Sequence, residues 1–260
     1  MCTLTFYPKK NGTTVLTFNR DEQPSRSSVE VICDKNKGFL YPKDKLHNGT
    51  WLMVDAARKR VVCLLNGAFK LHERQLPYRK SRGLMVLDTM AYDDITSFFF
   101  SYNFVGIEPF SMVTWQQNEL FCCRWDGSKR HVERYNTHET HLWSSATLYD
   151  KPTQKKREKW FEDWQNELAH EDATIEDLWQ FHQTGGSFDP ENGLRMSRPW
   201  GVKTVSTTQI IISQQDINFQ YYELENNAII RQNLDFEPEY AFETTSDPQT
   251  TRHLSMAGCE

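Results

Sequence analysis

The 260-residue sequence lacks any apolar run long enough to cross a membrane, and its start lacks the basic and apolar regions of a signal peptide. A spanning helix needs roughly 18–20 largely apolar residues. We therefore expect no membrane span and a cytoplasmic location. A basic surplus is lacking too, because 30 Lys and Arg stand against 35 Asp and Glu, for a net charge of −5. Nucleic acid is thus not an expected partner.

The six cysteines include no CxxC pair, and four of them lie in or beside apolar runs. Adjacent Cys122 and Cys123 in a strand would point to opposite faces, which is poor geometry for a mutual disulfide. In a long chain without a signal peptide, we expect reduced, buried thiols rather than a disulfide framework. Cys2 stands apart because of its position.

Internal repeats and low-complexity linkers are also lacking, and the composition is that of a globular protein: 38% hydrophobic, 25% charged and 13% aromatic. This excludes a disordered or fibrous chain. The length suffices for a sizeable core. We expect one domain over residues 1–260, with a polar and loosely ordered tail after about residue 244.

Alternating apolar residues and turn signals predict strands, and the clearest hairpin joins 3–7 to 14–18 through Asn11-Gly12. The other predicted strands are 51–54, 61–65, 110–114, 119–125, 208–212 and 219–224. The predicted helices are 84–100, 155–168 and the segment that follows the capping-box-like Thr174-Ile175-Glu176-Asp177. Strands, then helices, then strands favour an α+β layered fold over a doubly wound one.

Cys2 is a candidate nucleophile because the initiator methionine is normally removed when residue 2 is small. Cys2 would then carry both a thiol and a free α-amine, whose pKa values are about 8.5 and about 8 in model peptides. The amine could take the thiol proton and later return it to a leaving amine. The alternative interpretation is a small residue that begins an edge strand.

The second strand of the hairpin is followed by Asn19-Arg20-Asp21-Glu22. Such a polar run can be an exposed turn. An antiparallel hairpin, however, brings the start of its first strand beside the end of its second, so Cys2 and residues 19–21 should meet at one end of the sheet. An acid there can fix the α-amine, and an arginine can lower the thiol pKa.

Together, Met-Cys and this tetrad resemble the NRDE family, also called the transport and Golgi organisation protein 2 family. Further segments that carry the resemblance, some of them loosely, are Gly49-Thr50-Trp51-Leu52, Leu64-Leu65-Asn66, Ser81-Arg82-Gly83, Trp143-Ser144-Ser145-Ala146 and Trp200-Gly201-Val202-Lys203. The family is in turn similar to the penicillin V acylase and bile salt hydrolase group. That similarity implies the four-layer αββα sandwich of N-terminal-nucleophile (Ntn) hydrolases, with mostly antiparallel sheets.

The resemblance implies roles for individual residues. Cys2 would be nucleophile and base, and Asp21 would orient its amine. Arg20 and the neighbouring Asn19 complete the tetrad, with Arg20 placing positive charge near the thiolate. Asn66 would contribute to an oxyanion hole, which must face the charge that develops on the tetrahedral intermediate; the alternative is an ordinary Asn-Gly turn.

At two positions the sequence departs from the acylases. Ser145 stands where they have an Asn as second oxyanion donor, and a hydroxyl reaches less far than a carboxamide. Lys203 replaces a late arginine, which keeps the charge but loses the planar fork. Either change could mean a different substrate or weakened hydrolysis.

The leading hypothesis is therefore an amidohydrolase that cleaves a linear, non-peptide C–N amide through a thioester on Cys2. The alternative is a non-catalytic binding or carrier protein for haem or lipid on the same scaffold. The expected partner of this protein is a small-molecule amide or an apolar ligand, and we expect no cofactor or metal.

Two other clusters have simpler interpretations. The histidines and glutamates of residues 131–141 do not match HExxH, because His138-Glu139-Thr140-His141 is one residue short, and a solvated loop is expected. The basic stretch 151–159 opposes an aromatic stripe and is expected to be a solvated helix face.

Overall fold

The computed structural model describes residues 2–168 and 172–236, which form two antiparallel β-sheets and four α-helices. The strands are β1 Cys2–Pro8, β2 Thr14–Glu22, β3 Val31–Asp34, β4 Phe39–Pro42, β5 Leu52–Asp55, β6 Arg60–Asn66, β7 Phe110–Gln116, β8 Glu119–Trp125, β9 Arg130–Tyr135, β10 His141–Ser144, β11 Lys203–Ile212, β12 Asp216–Glu223 and β13 Ala228–Asp235. The helices are α1 Arg82–Asp88, α2 Ile95–Ser101, α3 Lys151–Glu167 and α4 Ile175–Thr184, with short 3₁₀ helices at Pro24–Arg26 and Thr89–Ala91. The predicted α+β class is confirmed.

The first sheet has the strand order β10-β1-β2-β11-β12-β13, and the second has the order β3-β4-β5-β6-β7-β8-β9. The predicted hairpin of β1 and β2 is confirmed. Gly12 takes a positive φ of 85°, and the Lys9 N–H donates to Thr13 O at 2.8 Å. This turn sets the register that pairs Cys2 with Arg20.

Strand β2 is longer than predicted. The expectation that the tetrad follows the strand was wrong, because Asn19 to Glu22 are its last four residues and all four are buried. Their side chains have partners inside the protein, so burial of these polar groups does not leave them unsatisfied.

The strands that the sequence did not predict are β3, β4, β9, β10 and β13, and four of these are the outermost strands of the two sheets. Edge strands carry polar side chains that discourage pairing with other chains, so their apolar alternation is weak. The solvated loop expected for residues 131–141 is confined to residues 136–140, since β9 ends at Tyr135 and β10 begins at His141.

The single helix expected over 84–100 is divided into α1 and α2. Asp94 ends the intervening segment and begins α2, because its carboxylate accepts from the Thr96 and Ser97 N–H groups. An N-cap of this kind starts a new helix where the apolar spacing alone would continue the old one. The capping box of Thr174 and Asp177 is confirmed at the start of α4.

Three apolar clusters hold the layers together. The largest lies between the sheets and includes Leu4 and Phe18 from the first sheet and Cys63 from the second. Helices α1 and α2 pack on the outer face of the second sheet, and α3 and α4 pack on the outer face of the first. Cys122 belongs to the cluster between the sheets and Cys123 to the outer one, which confirms that they face opposite ways.

Among the residues that the structure describes, no helix has the length and apolar character needed to cross a membrane. The five cysteines in these ranges are free thiols. Cys259 and the tail after residue 244, for which loose order was predicted, lie outside the described residues.

His182 is buried where α4 packs on the first sheet, and its Nε2 lies 2.8 Å from Thr5 Oγ1. Burial, reinforced by the positive charge of Arg157, lowers the pKa of His182 to about 3. The imidazole therefore stays neutral in the folded protein at physiological pH.

We expect His182→Gln to flatten the pH dependence of stability in acid. The unfolded chain protonates this side chain below pH ~6.5, whereas the folded protein does so only near pH 3. The unfolded chain thus binds more protons in this window, and the contribution of His182 to the free energy of unfolding falls as pH falls. Urea unfolding at a series of pH values gives the free energy of unfolding as a function of pH, and the slope of this dependence should be reduced by up to ~1.4 kcal/mol per pH unit. His138→Gln, at an exposed position, should keep the wild-type slope; equal slopes in both variants would contradict the assignment.

Candidate active site

A cavity of about 520 Å³ opens at the end of the sheets where β1 begins and β6 ends. Cys2, Arg20 and Asn66 all line it, together with Trp51, which immediately precedes β5. A second wall is formed by Glu108 and by eight residues of the segment before and at the start of α1: Arg74, Leu76, Pro77, Tyr78, Lys80, Ser81, Arg82 and Gly83. Three of the residues singled out from the sequence therefore share one cavity.

Gly49 and Gly83 bring the two walls into backbone contact. The Thr50 N–H donates to Gly83 O at 3.1 Å. A Cβ added to Gly49 would lie 2.5 Å from Gly83 C, which no side chain tolerates. Glycine is thus required at this close approach.

The alternation of β2 divides the tetrad between two faces of the sheet. Cys2 and Arg20 point into the space between the sheets. Asn19 and Asp21 point to the other face, where α3, α4 and the loop after α4 cover them. The structure brings these residues together along the backbone, while Arg20 and Glu22 share the cavity with the Cys2 side chain and Asn19 and Asp21 do not line it.

Cys2 is almost fully buried, with 2% of its surface exposed. Burial raises the pKa of its thiol, and the negative charge of Asp21 adds to this, while Arg20 acts in the opposite direction. The lowering of the thiol pKa expected from Arg20 is therefore outweighed. Because the thiolate is the nucleophile, a base must remove the thiol proton.

Arg20 is buried and held in a charged network. Its guanidinium stacks over the Trp51 ring at 3.8 Å and donates to Asp44 and to Arg26 O. Arg26 in turn pairs with Asp44 at 2.7 Å and with Glu22 at 2.6 Å. Asp44 and Trp51 were not assigned roles from the sequence, and only their places in the fold identify them.

Asp44 compensates the charge of Arg20. Burial alone would raise the pKa of Asp44, but the His47 N–H and then Arg20 and Arg26 hold it below its ordinary value. The carboxylate therefore stays ionised beside the two guanidinium groups.

Asp21 has no exposed surface. Its Oδ2 accepts from the Tyr149 hydroxyl at 2.8 Å, and its Oδ1 accepts from Thr204 Oγ1 at 2.7 Å. Burial leaves the pKa of Asp21 above its ordinary value, although Arg157 and the two hydroxyl donors offset part of this rise. Arg157 lies in the stretch expected to be a solvated helix face; that expectation was wrong for this residue, which is fully buried.

Asn66 is the last residue of β6 and is half-buried at the cavity wall. Gly67 follows with a φ of 80°, and its N–H donates to Pro109 O at 3.0 Å. Ser145 lies beside both Cys2 and Asn66, because its N–H donates to Cys2 O at 2.9 Å and its hydroxyl donates to Asn66 O at 2.8 Å. The hydroxyl hydrogen is thus already used.

Lys203 and Asn19 face other surroundings. Lys203 Nζ pairs with Glu225 at 2.9 Å and does not line the cavity. Asn19 donates to His182 O and Leu194 O, both at 2.9 Å, and accepts from Thr207. Asn19 therefore fastens β2 to α4 and its following loop. Within the described ranges, no group of three or more His, Cys, Asp or Glu residues could hold a metal ion.

The sequence of this chain matches a known protein family. The sequence model of the transport and Golgi organisation 2 family matches residues 1–238. The chain belongs to this family, which confirms the membership predicted from Met-Cys and the tetrad. A search among curated proteins found no match.

We expect Asp44→Asn to destabilise the protein strongly, because it leaves the buried Arg20 without its carboxylate. Breaking a buried ion pair from one side costs about 3–5 kcal/mol, which urea unfolding at neutral pH can measure. Asp34→Asn removes a carboxylate from a partly exposed pair with Lys37 and should change stability by less than about 0.5–1 kcal/mol. Similar losses in the two variants would contradict a buried network around Arg20.

Proposed function

We propose that the protein is an Ntn-type amidohydrolase that cleaves a linear, non-peptide C–N amide through a thioester on Cys2. The observation that carries this proposal is the meeting of Cys2, Arg20 and Asn66 in one cavity, with Asp21 buried at the same end of the sheet. This combination supplies a nucleophile, positive charge, a polar amide and an acid close to the first residues of β1.

The proposed reaction starts once the initiator methionine has been removed. The free α-amine of Cys2 accepts the thiol proton, which the raised thiol pKa keeps in place at rest. The sulfur attacks the amide carbonyl, and the resulting tetrahedral intermediate collapses to a thioester as the leaving amine takes the proton. Water then cleaves the thioester, which releases the carboxylic acid and restores the thiol.

Asn66 is the proposed oxyanion donor, because it lines the cavity beside Cys2. Such a donor acts on the charge that develops during attack and is worth roughly 2.7–4 kcal/mol of transition-state stabilisation in known enzymes. We propose that Ser145 supports this group indirectly, since its hydroxyl donates to Asn66 O and its N–H to Cys2 O. Lys203 has no role in this scheme, because it pairs with Glu225.

We also propose that the chain has the four-layer αββα sandwich of Ntn hydrolases and forms one domain. Support comes from the apolar cluster between the two sheets and from the helix pairs packed outside each of them. In this arrangement, the cavity lies at one end of the two inner layers.

The alternative is a non-catalytic binding or carrier protein for haem or lipid on the same scaffold, because fold does not dictate function. The observation that favours it is the engagement of Ser145 and Lys203 with other groups, which leaves the second oxyanion donor and the late cation of the acylases without counterparts. A haem titration whose Soret shift saturates at one haem per chain would support this alternative. The absence of a saturable Soret shift would exclude a haem-binding protein.

We expect Cys2→Ala to abolish amide turnover, because it removes the nucleophilic sulfur while the α-amine that serves as base remains. The first measurement is an intact mass spectrum before and after treatment with iodoacetamide, followed by peptide mapping. It should show loss of the initiator methionine and labelling at Cys2 that is much faster than at Cys33, a half-buried free thiol. Amides are then screened with the wild type.

Cys33→Ala is the matched control and should retain turnover, since Cys33 does not line the cavity. Full activity in Cys2→Ala would exclude the mechanism. A retained methionine, or Cys2 labelled no faster than Cys33, would favour the binding protein instead.

A further inference from the structure

Both oxygens of the Asp21 carboxylate accept hydrogen bonds from hydroxyl groups. Tyr149 donates to Oδ2 at 2.8 Å and Thr204 to Oδ1 at 2.7 Å. Thr204 Oγ1 also accepts from the Met196 N–H at 2.9 Å, and its own hydrogen is donated to Asp21 Oδ1 in preference to Leu194 O, which lies farther away at 3.4 Å. Two donors on two oxygens fit the ionised form of the acid.

Arg157 places a positive charge beside the Tyr149 ring. Its guanidinium lies 3.5 Å from the centre of the Tyr149 ring and has no exposed surface. Its N–H groups donate to Thr3 Oγ1 and to the carbonyls of Asn192 and Gly193. Among the described residues, it forms no ion pair within 4.0 Å.

A buried guanidinium without a direct partner needs an opposite charge nearby. Asp21 meets this need, because Arg157 acts through space to lower the pKa of Asp21 against the effect of burial. Tyr149 separates the two charges and remains a donor, since burial and then Asp21 raise the pKa of its phenol well above the ordinary value.

We infer that Tyr149, Thr204 and Arg157 are positioning residues that keep the Asp21 carboxylate ionised and fixed in place at the end of the sheet where β1 begins. This inference rests on the proposed function, because in that mechanism an ionised Asp21 holds the α-ammonium group of Cys2 during turnover. Arg157 comes from α3, Tyr149 from the segment before it and Thr204 from β11, so three separate parts of the chain converge on one carboxylate.

The charged and titratable groups around Asp21 are few. Arg157 and Tyr149 face it from the helix side, and Cys2 lies across the hairpin. Arg198 lies 5.6 Å from the Tyr149 ring and adds positive charge to the same side. The two hydroxyl donors and Arg157 favour ionisation of Asp21, and burial, which has the largest effect, opposes it.

The test is a ¹³C NMR titration of the Asp21 carboxyl carbon in the full chain, assigned by its loss in Asp21→Asn. Tyr149→Phe removes one donor and keeps the ring under Arg157, so the midpoint of the titration should rise by about one pH unit, a tenfold change in proton affinity. Thr204→Val should raise it similarly, and Thr204→Ser, which retains the hydroxyl, should restore the wild-type midpoint.

Tyr7→Phe is the matched control, because it removes the hydroxyl of another buried tyrosine, one that accepts from the Ala173 N–H. Its titration should equal that of the wild type. The inference is overturned if Asp21 titrates at the wild-type pH in both Tyr149→Phe and Thr204→Val. Unfolding curves show whether each variant is folded, and Arg157→Lys, which keeps charge but loses the stacked plane, gives a further variant expected to raise the midpoint.

The titration does not involve turnover, so the two proposals can fail separately. A raised midpoint without amide hydrolysis would leave the role of Tyr149 and Thr204 intact and remove the proposed function. Hydrolysis with an unchanged midpoint would retain the enzyme and remove this inference.

Discussion

The register of the first hairpin is the constraint on which the rest of the site depends. The turn at Asn11 and Gly12 fixes which residue of β2 lies opposite Cys2, and that residue is Arg20. Since side chains alternate along a strand, this choice also places Asp21 on the opposite face. A shift of β1 by one residue relative to β2 would move every side chain of β1 to the opposite face of the sheet, and Thr3 would replace Cys2 at the cavity.

Each face of β2 then has its own means of accommodating buried charge. Between the sheets, Arg20 is neutralised by Asp44 and shielded by Trp51. On the helix side, Asp21 is stabilised by hydroxyl donors and by Arg157, which does not contact it directly. The desolvation of two opposite charges on adjacent residues is thus offset by partners drawn from different parts of the chain.

The sequence predicted the parts of this arrangement that depend on local pattern. The hairpin, the strand end at Asn66 and the family follow from turn residues, alternation and the tetrad. Edge strand β9 was missed because most of its residues are polar and none is buried, and β3 and β10 were missed because each is only four residues long. Arg157 was misassigned because charge on a helix usually faces solvent, and its burial depends on a tertiary contact with Tyr149 that no local pattern contains.

The same limit applies to the site. Cys2, Arg20 and Asp21 could be named in advance, whereas the separation of Arg20 from Asp21 across the sheet required the observed length of β2. Ser145 was assigned by resemblance, and the hydrogen bond to Asn66 O that occupies its hydroxyl depends on the approach of β6 to the segment after β10.

The contact of Gly49 with Gly83 has a consequence for how this cavity can change over evolution. Because the two walls meet backbone to backbone, Gly49 cannot accept a side chain without separating them, and a Cβ at Gly83 would lie 3.1 Å from Thr50 O. New ligand preferences must therefore arise from the side chains that line the remaining walls, while the width at this point stays the same. Diverged proteins with this site would then differ in the side chains that line the cavity, while the width of the cavity beside Gly49 and Gly83 would be the same.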